Sequence, residues 1–485
     1  MHHVILGAGP AGVTAAEAIR KHAPDAEITL ISGEPEPPYS RMAIPYLLEG
    51  KIGEDGTYLR QTDGHYDGKG ITYKQGPVKS IDAAGKTLTC VDGSTVSFDR
   101  MLIATGATPL RPPIDGQDRP GVHTCWTLED ARHIMKHASK GDPVVLVGAG
   151  FIGCIILEAL VKMGVNLTVV EMGDRMVPRM LDETAGNMLR DWCEDKGVKV
   201  VTGATVASIS GAEGGGSSTP AADPQTAPAA SAESKPGFFS RIFGGGASEG
   251  AAQPGFVEDP ASAPVVPSGG DGEMTVTLKD GQKLPATLVV IAAGVKSNIA
   301  FLDGSGVETG HGVKVDPYHH TSAEGIYAAG DVAEGINLST GHNDMLAIQP
   351  VAVEHGYVAA LNMCGIETAH RGSLNMNVLD TLGLISSSFG TWEGVEGGER
   401  ATLVDKAAGR YIRLEFEGDK LIGAQCVGMT DHIGMLRGLI QTGLHLGPWK
   451  DKLVESPGRI AEAYVAVMQQ KPKAGYTGPK VALPA

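Results

Sequence analysis

The chain has 485 residues, enough at roughly 100–200 residues per domain for two to four domains with cores of their own. It carries 40 Lys and Arg against 56 Asp and Glu, a net charge of −16, and so lacks the basic footprint of a sequence-independent nucleic-acid binder. No charge-free apolar run reaches the ~18 residues of a membrane span. The N-terminus opens on an apolar run without the layout of a signal peptide, so a cytoplasmic protein is expected.

VIL at 4–6 predicts a strand, GAGPAG at 7–12 a glycine-rich turn, TAAEAIRKH at 14–22 a helix, and EITLI at 27–31 a second strand. This is a βαβ unit carrying the G-x-G-x-x-G dinucleotide pattern. Gly7 makes the tight turn, Gly9 lets backbone approach a pyrophosphate, and Gly12 lets helix and strand pack closely. The helix that follows turns its N-terminus to the phosphate charge. Glu34 follows 22 residues after Gly12, past the second strand, which is the context that gives the motif meaning.

The same arrangement returns at mid-chain. PVVLVGAGFIG at 143–153 is strand and turn, 154–164 is predicted helical, and 165–171 is a strand ending in Glu171. The cradle residues are Gly148, Gly150, Ile152 and Gly153. A carboxylate at Glu171 suits a ribose 2′-hydroxyl and repels a 2′-phosphate, favouring NAD over NADP, while Arg175 nearby keeps NADP open. Segments 101–109, 288–295 and 325–334 each read as a strand ending in small residues.

Residues 211–273 differ in kind: 41 of the 63 are Gly, Ala, Ser or Pro. Such a composition buries too little apolar surface to offset its ordering entropy, so a disordered insertion is expected. The flanking strands, 206–210 and 274–278, are expected to be neighbours in a small sheet. Within the insertion, Phe238, Phe239, Ile242 and Phe243 form an apolar island, read as a linker accident or a docking segment. Further on, 410–416 and 421–428 predict a hairpin, 432–443 a helix, and 471–485 an extended tail.

The six cysteines are scattered without a CxxC pair, which suits buried thiols in a reducing compartment and offers no iron–sulfur or zinc ligand set. No metal site is expected. His319 and His320 are adjacent, and neighbours on a strand point to opposite faces, so they do not share an ion. His355 reads as an ordinary helix residue, with a place near a cofactor ring as the alternative.

Taken together, the two cradles, the Ala104–Thr105–Gly106 segment and Gly330–Asp331 resemble the two-dinucleotide-binding-domain flavoproteins: the glutathione reductase, rubredoxin and ferredoxin reductase, NADH oxidase and nitrite reductase flavin-region group. The resemblance implies an α/β fold with two Rossmann-like three-layer domains plus a C-terminal α+β domain. It implies a split FAD domain (1–112 and 296–370), an NAD domain (113–295) and a C-terminal interface domain (371–470). FAD is expected on Gly7, Gly9, Pro10, Ala11 and Gly12, with Glu34 at the adenosine ribose and Arg41 near the phosphates or ring. Val78 would present backbone to the adenine, Thr105 and Gly106 mark the crossover, and Gly330 with Asp331 hold the ribityl or pyrophosphate region. NAD(H) is expected on Gly148, Gly150, Ile152, Gly153, Glu171 and Gly294.

The family pattern breaks at three places. The CxxxxC of disulfide reductases is absent, Met42 stands where single-cysteine relatives carry their thiol, and Tyr46 and Ile155 replace a Lys and a Glu of electron-transfer relatives. Tyr46 is therefore expected to stack on or gate the ring contact. The expected function is electron transfer between NAD(H) and an iron–sulfur protein or subunit, as the flavin subunit of a multi-subunit NAD-linked (2-oxoacid) oxidoreductase. A stand-alone NADH oxidase and a non-catalytic assembly protein stabilised by FAD are the alternatives.

Overall fold

The computed structural model describes residues 1–211 and 273–469. The apolar island at 238–243 and the tail at 471–485 lie outside the described residues. Two short runs of aliphatic residues, Val4–Leu6 and Val144–Val147, become the central strands of two parallel sheets, where burial on both faces demands such runs. The first sheet runs Ile71–Gln75, Glu27–Ser32, His2–Leu6, Arg100–Ile103, Ile326–Ala328, all parallel. The helix Pro10–His22 covers one face with Val13, Ala15, Ala16 and Ile19. Its small side chains admit a second helix, Gln349–Met363, so closely that a Cβ on Gly356 would stand 2.3 Å from the Ala11 carbonyl oxygen. A three-stranded meander, Val78–Asp82, Thr87–Cys90 and Thr95–Ser97, covers the other face through Ile81 and Leu88.

The second sheet repeats this plan: Lys199–Val201, Asn166–Val170, Pro143–Val147, Leu288–Ile291 and Val122–His123, again all parallel. Helices Leu128–His137, Phe151–Lys162 and Glu183–Asp195 pack on one face, and the meander Val206–Gly211, Met274–Leu278, Lys283–Ala286 on the other. In the first meander, residues 83–86 join the opening hairpin; in the second, the corresponding connection is 212–273. The insertion expected from 211 starts one residue later, because Gly211 remains in its strand, paired with Met274.

Both cradle helices begin earlier than the sequence reading places them, at Pro10 rather than Thr14 and at Phe151 rather than Cys154. The second glycine of each motif is extended and serves as N-cap, so the helix starts inside the motif itself. The second helix ends at Lys162, followed by Gly164 at φ +82°.

A two-stranded antiparallel ribbon, Ala107–Pro109 with Val295–Ser297, links the two units. The C-terminal unit is a five-stranded antiparallel sheet ordered Met376–Thr381, Leu384–Gly390, Lys420–Val427, Arg410–Glu417, Glu399–Asp405. It contains the expected hairpin, and the helix Ile433–Thr442 follows. The sheet docks on the second unit at Asp182, the N-cap of Glu183–Asp195. The Asp182 carboxylate accepts from Ala185 N–H at 2.9 Å, from Arg413 Nη1 at 2.9 Å and from the Tyr411 hydroxyl, while Arg413 Nε donates to Glu415 at 2.5 Å. Among the described residues no helix is long and apolar enough to cross a membrane.

Candidate functional site

The two cradles have nearly superimposable local geometry. Gly7 and Gly148 sit at φ +108° and +104°, where a side chain is strained, and a Cβ would strike the carbonyl oxygens of Ala104 (2.1 Å) and Ala292 (2.5 Å). A Cβ on Gly12 or Gly153 would stand 1.8 or 2.1 Å from the carbonyl oxygen of Gly7 or Gly148. Gly9 and Gly150, by contrast, face open space with nothing within 4 Å. No side chain caps either helix, so first-turn N–H groups of Pro10–His22 and Phe151–Lys162 are left for a ligand. An extended diphosphate fits both places, since the open glycine and the free donors coincide.

The acidic residues beyond the second strands are held differently. Glu34 accepts from the Tyr39 hydroxyl at 2.5 Å and pairs with Arg41 Nη2 at 2.6 Å; Arg41 also donates to the Trp126 carbonyl at 2.8 Å. The structure thus brings Glu34 and Arg41 into one cluster. A carboxylate offers about four lone-pair sites, so Glu34 retains capacity for a sugar hydroxyl. Val78 opens its strand next to Pro77, whose Cα lies 3.8 Å from where a Gly33 Cβ would stand, one residue before Glu34. Glu171 is buried and accepts from the backbone N–H of Ala149 at 2.6 Å and of Gly173 at 2.7 Å. Arg175 is tied to its own loop, donating to Leu181 C=O at 2.9 Å and Asp174 at 2.7 Å. These bonds leave it poorly placed to seek a 2′-phosphate.

The crossover ties the cradles together. The Thr105 hydroxyl donates to Asn298 C=O at 2.9 Å, Gly106 takes φ +66°, and Leu110 N–H donates to Gly294 C=O at 2.8 Å. Between ribbon and second cradle lies a small pocket lined by Pro109, Trp126, Ile152, Ile156, Gly294 and Val295, which joins the expected residues Ile152 and Gly294. Gly330, at φ +76°, fits between Ala11 and Ala352, with Cβ-to-Cβ spacings of 3.2 and 3.4 Å if it carried a methyl. Burial pushes the adjoining Asp331 carboxyl upward, opposed by the Arg41 cation. Tyr46, on the short helix Ile44–Leu48, is half exposed with Lys51 Nζ 5.4 Å from its ring centroid, and Met42 is likewise half exposed. The helix of Tyr46 packs through Ile44, Leu47 and Leu48 into the apolar cluster that also holds Ile156 and Leu157, with Ile155 against it. The contact between Tyr46's helix and the second cradle helix is thus apolar along its length and closed at its end by an ion pair, Lys162 Nζ donating to Glu49, the C-cap of Ile44–Leu48, at 3.3 Å.

All six cysteines are free, and five are buried. Burial pushes the thiols of Cys125, Cys193 and Cys426 up to about 12 and that of Cys154 well above its ordinary value. A thiolate nucleophile is thus disfavoured at each of these four positions.

Sequence reasoning missed one assembly entirely. His319 and His320 do face different ways: His320 is exposed against Asp316 at 3.0 Å, while His319 turns inward. There it meets His355 and His370, with ring centroids 4.4 and 5.4 Å away. Burial, then the neighbouring imidazoles, push the His319 ring down to about 3 and the His355 ring to about 2. Residues 319, 355 and 370 share no local spacing, and only the tertiary fold brings them together.

The family model for the pyridine nucleotide-disulphide oxidoreductases matches residues 1–231 and 263–356. The chain is 29% identical over 458 residues to the NADH-dependent phenylglyoxylate dehydrogenase subunit epsilon of Aromatoleum evansii, covering 94% of this chain and 95% of that protein. It is 28% identical over 387 residues to an NADH oxidase of Methanocaldococcus jannaschii, covering 78% and 73%. Among solved structures, an NAD-dependent persulfide reductase from A. fulgidus superposes with a TM-score of 0.74 at 26% identity, covering 92% of this chain and 78% of that one. Members of this family bind FAD and NAD(H), and two cradles with open central glycines fit two such dinucleotides. The chain belongs to the pyridine nucleotide-disulphide oxidoreductase family, as an FAD- and NAD(H)-dependent oxidoreductase whose own cysteines are all unpaired.

Proposed function

We propose that the chain passes electrons between NAD(H) and an iron–sulfur protein or subunit, with FAD in the first cradle and NAD(H) in the second, as the flavin subunit of a cytoplasmic multi-subunit NAD-linked (2-oxoacid) oxidoreductase. One observation carries this reading: two matching cradles flank a single ribbon, and Cys125, the thiol lining the pocket at that junction, is buried with its pKa pushed up to about 12. Electrons leaving the site therefore have no cysteine pair to reduce. When bound, FAD supplies the chemistry that links a two-electron hydride to one-electron acceptors.

In this reading the chain's own residues bind and orient. Gly7, Gly9, Pro10, Ala11 and Gly12 hold the FAD diphosphate on first-turn N–H groups. Glu34, fixed by Arg41 and Tyr39, takes the adenosine ribose, and Val78 lies at the adenine. Thr105, Gly106, Gly330 and Asp331 flank the path to the ring. Gly148, Gly150, Ile152 and Gly153 hold the nicotinamide dinucleotide, with Glu171 at its ribose and Gly294 at the pocket mouth. Tyr46, half exposed on a helix otherwise packed through Ile44, Leu47 and Leu48, covers the ring contact and excludes water. Positioning of this kind accounts for most of what a protein adds to cofactor chemistry. The similarity to a named subunit of a larger dehydrogenase supports a bound rather than a diffusing partner.

The deciding experiment adds NADH anaerobically to the purified yellow chain, then supplies a ferredoxin-type acceptor or oxygen. Bleaching followed by rapid acceptor reduction and slow oxygen use is expected. Steady NADH consumption in air at the acceptor-driven rate would mark an oxidase, and no bleaching a non-catalytic assembly protein.

A further inference from the structure

Buried polar groups in folded proteins almost always have hydrogen-bond partners, and each exception calls for a cause. His319, His355 and His370 are 1%, 2% and 6% exposed. Four of their six ring nitrogens have no hydrogen-bond partner: His319 Nε2, both nitrogens of His355, and His370 Nε2. Nothing in the two cradles uses these rings.

We propose that His319, His355 and His370 form a binding site for one divalent first-row transition ion of the Zn²⁺ class. Each histidine offers a ring nitrogen such that the three lie within 4.8 Å of one another. Their planes are splayed at 54°, 53° and 80° rather than stacked, as rings approaching one point from different sides must be. His319 already has the second hydrogen bond expected of a ligand: its Nδ1 lies 3.0 Å from Ala328 C=O, which places the proton there and frees Nε2. The residue sits at φ +63°, a region that residues other than glycine rarely occupy, and this conformation directs its ring inward. His370 Nε2 faces Glu354 Oε1 at 3.6 Å, within reach of a fourth donor. Ligation through that nitrogen moves the His370 proton to Nδ1 and releases the long 3.3 Å contact from Gly372 N–H. The donors are neutral imidazoles, so the ion binds without displacing a proton, and imidazole-rich sites suit Zn²⁺ and its neighbours rather than Mg²⁺ or Ca²⁺.

A second group, His123, His133 and His137, also brings three ring nitrogens within 4.8 Å, but it is only half-buried and its rings stack within 12°, 25° and 15° of parallel. It therefore serves as the internal control. The proposed ion joins three separate segments: the loop before Ile326–Ala328, the helix Gln349–Met363, and the stretch entering the C-terminal sheet.

The test uses the FAD-loaded full chain, treated with a chelator, desalted and titrated with Zn²⁺. Bound metal is measured by elemental mass spectrometry and affinity by competition with a zinc dye. One tightly held ion per chain is expected, with zinc-edge X-ray absorption showing imidazole scatterers. His319→Gln and His370→Gln should each weaken binding beyond the ~100-fold typical of losing an outer partner, with the flavin spectrum retained. His133→Gln should leave uptake unchanged. The proposal is overturned by absence of stoichiometric uptake, by sulfur-rich or water-only coordination, by full uptake in His319→Gln, or by loss in His133→Gln. The absorption spectrum of the unmutated protein decides the case even if a variant fails to fold.

Discussion

The two cradles share their glycines, their capping and their parallel sheets, yet differ in what holds the acidic residue at their ends. Glu34 is gripped by side chains, the Arg41 cation and the Tyr39 phenol, whereas Glu171 is gripped by backbone N–H groups of its own loop. The first cradle is also roofed by Gln349–Met363, in contact with Ala11, and flanked by Gly330. On the proposed assignment, one motif serves two residence times. A site closed by side chains and a second helix suits a resident group; one whose acidic residue is preset by backbone suits a group that comes and goes.

The sharpest way to break this comparison is to fill each cradle in turn. Gly12→Val should abolish flavin retention and leave a colourless, destabilised protein, since its Cβ would lie 1.8 Å from the Gly7 carbonyl oxygen. Gly153→Val should keep the yellow colour but lose bleaching by NADH. Overpacking costs about 1–3 kcal/mol or more at each site, so absorbance and stopped-flow reduction separate the two outcomes. A colourless Gly153→Val with an NADH-responsive Gly12→Val would invert the assignment.

The next effect concerns the frame rather than the cradles. Asp182→Ala removes the partner of Tyr411 and one of the two carboxylates on Arg413 where the C-terminal sheet meets the second unit, and losing such a part-buried charged hydrogen bond costs about 1.5–3 kcal/mol, Arg413 keeping Glu415. Thermal denaturation should show the loss, and Arg413→Met should match it. Desolvation pushes the Asp182 carboxyl up, but bonds from Ala185 N–H, Tyr411 and Arg413 outweigh it and hold the group below its ordinary value. A depressed carboxylate contributes stability that is complete above its unfolded pKa and lost as pH falls through the folded one. Acid melting of the wild type should therefore steepen below the usual carboxylate range, and Asp182→Ala should flatten that dependence.

Smaller still is the choice of nucleotide. Glu171→Gln should raise the KM for NADH and narrow the NADH-to-NADPH preference by roughly tenfold, a neutral amide repelling a 2′-phosphate less. Glu34→Gln should weaken flavin binding while leaving the KM for NADH unaltered, and equal effects on both would erase the distinction. The smallest change is expected at Tyr46, which is 51% exposed. Tyr46→Ala should slow flavin reduction a few-fold without affecting flavin content, and an unchanged rate would remove its gating role.

Both cradles, the hairpin at Arg410–Glu417 and Lys420–Val427, and the pairing of the strands that flank the insertion were legible because each is written in local spacing. The helix starts were misplaced by three or four residues, since Gly9 and Gly150 act as caps without a side chain to advertise it. The Glu34–Arg41 pair was half legible: both residues stand out, but their contact depends on the chain folding back through Tyr39. The histidine triad was invisible, because three positions from different elements converge only in three dimensions. Its strained member, His319, looks unremarkable beside His320 in the sequence.

The duplicated meander carries a practical corollary. Gly211 and Met274 face each other in antiparallel register, so the excursion between them leaves and re-enters the second unit at adjacent points. The first unit spans the same gap with residues 83–86. Splicing a turn of that kind in place of 212–273 should thus give a shortened enzyme with intact colour and NADH response, a clean background on which any recruiting role of the excised stretch can be restored or withheld at will.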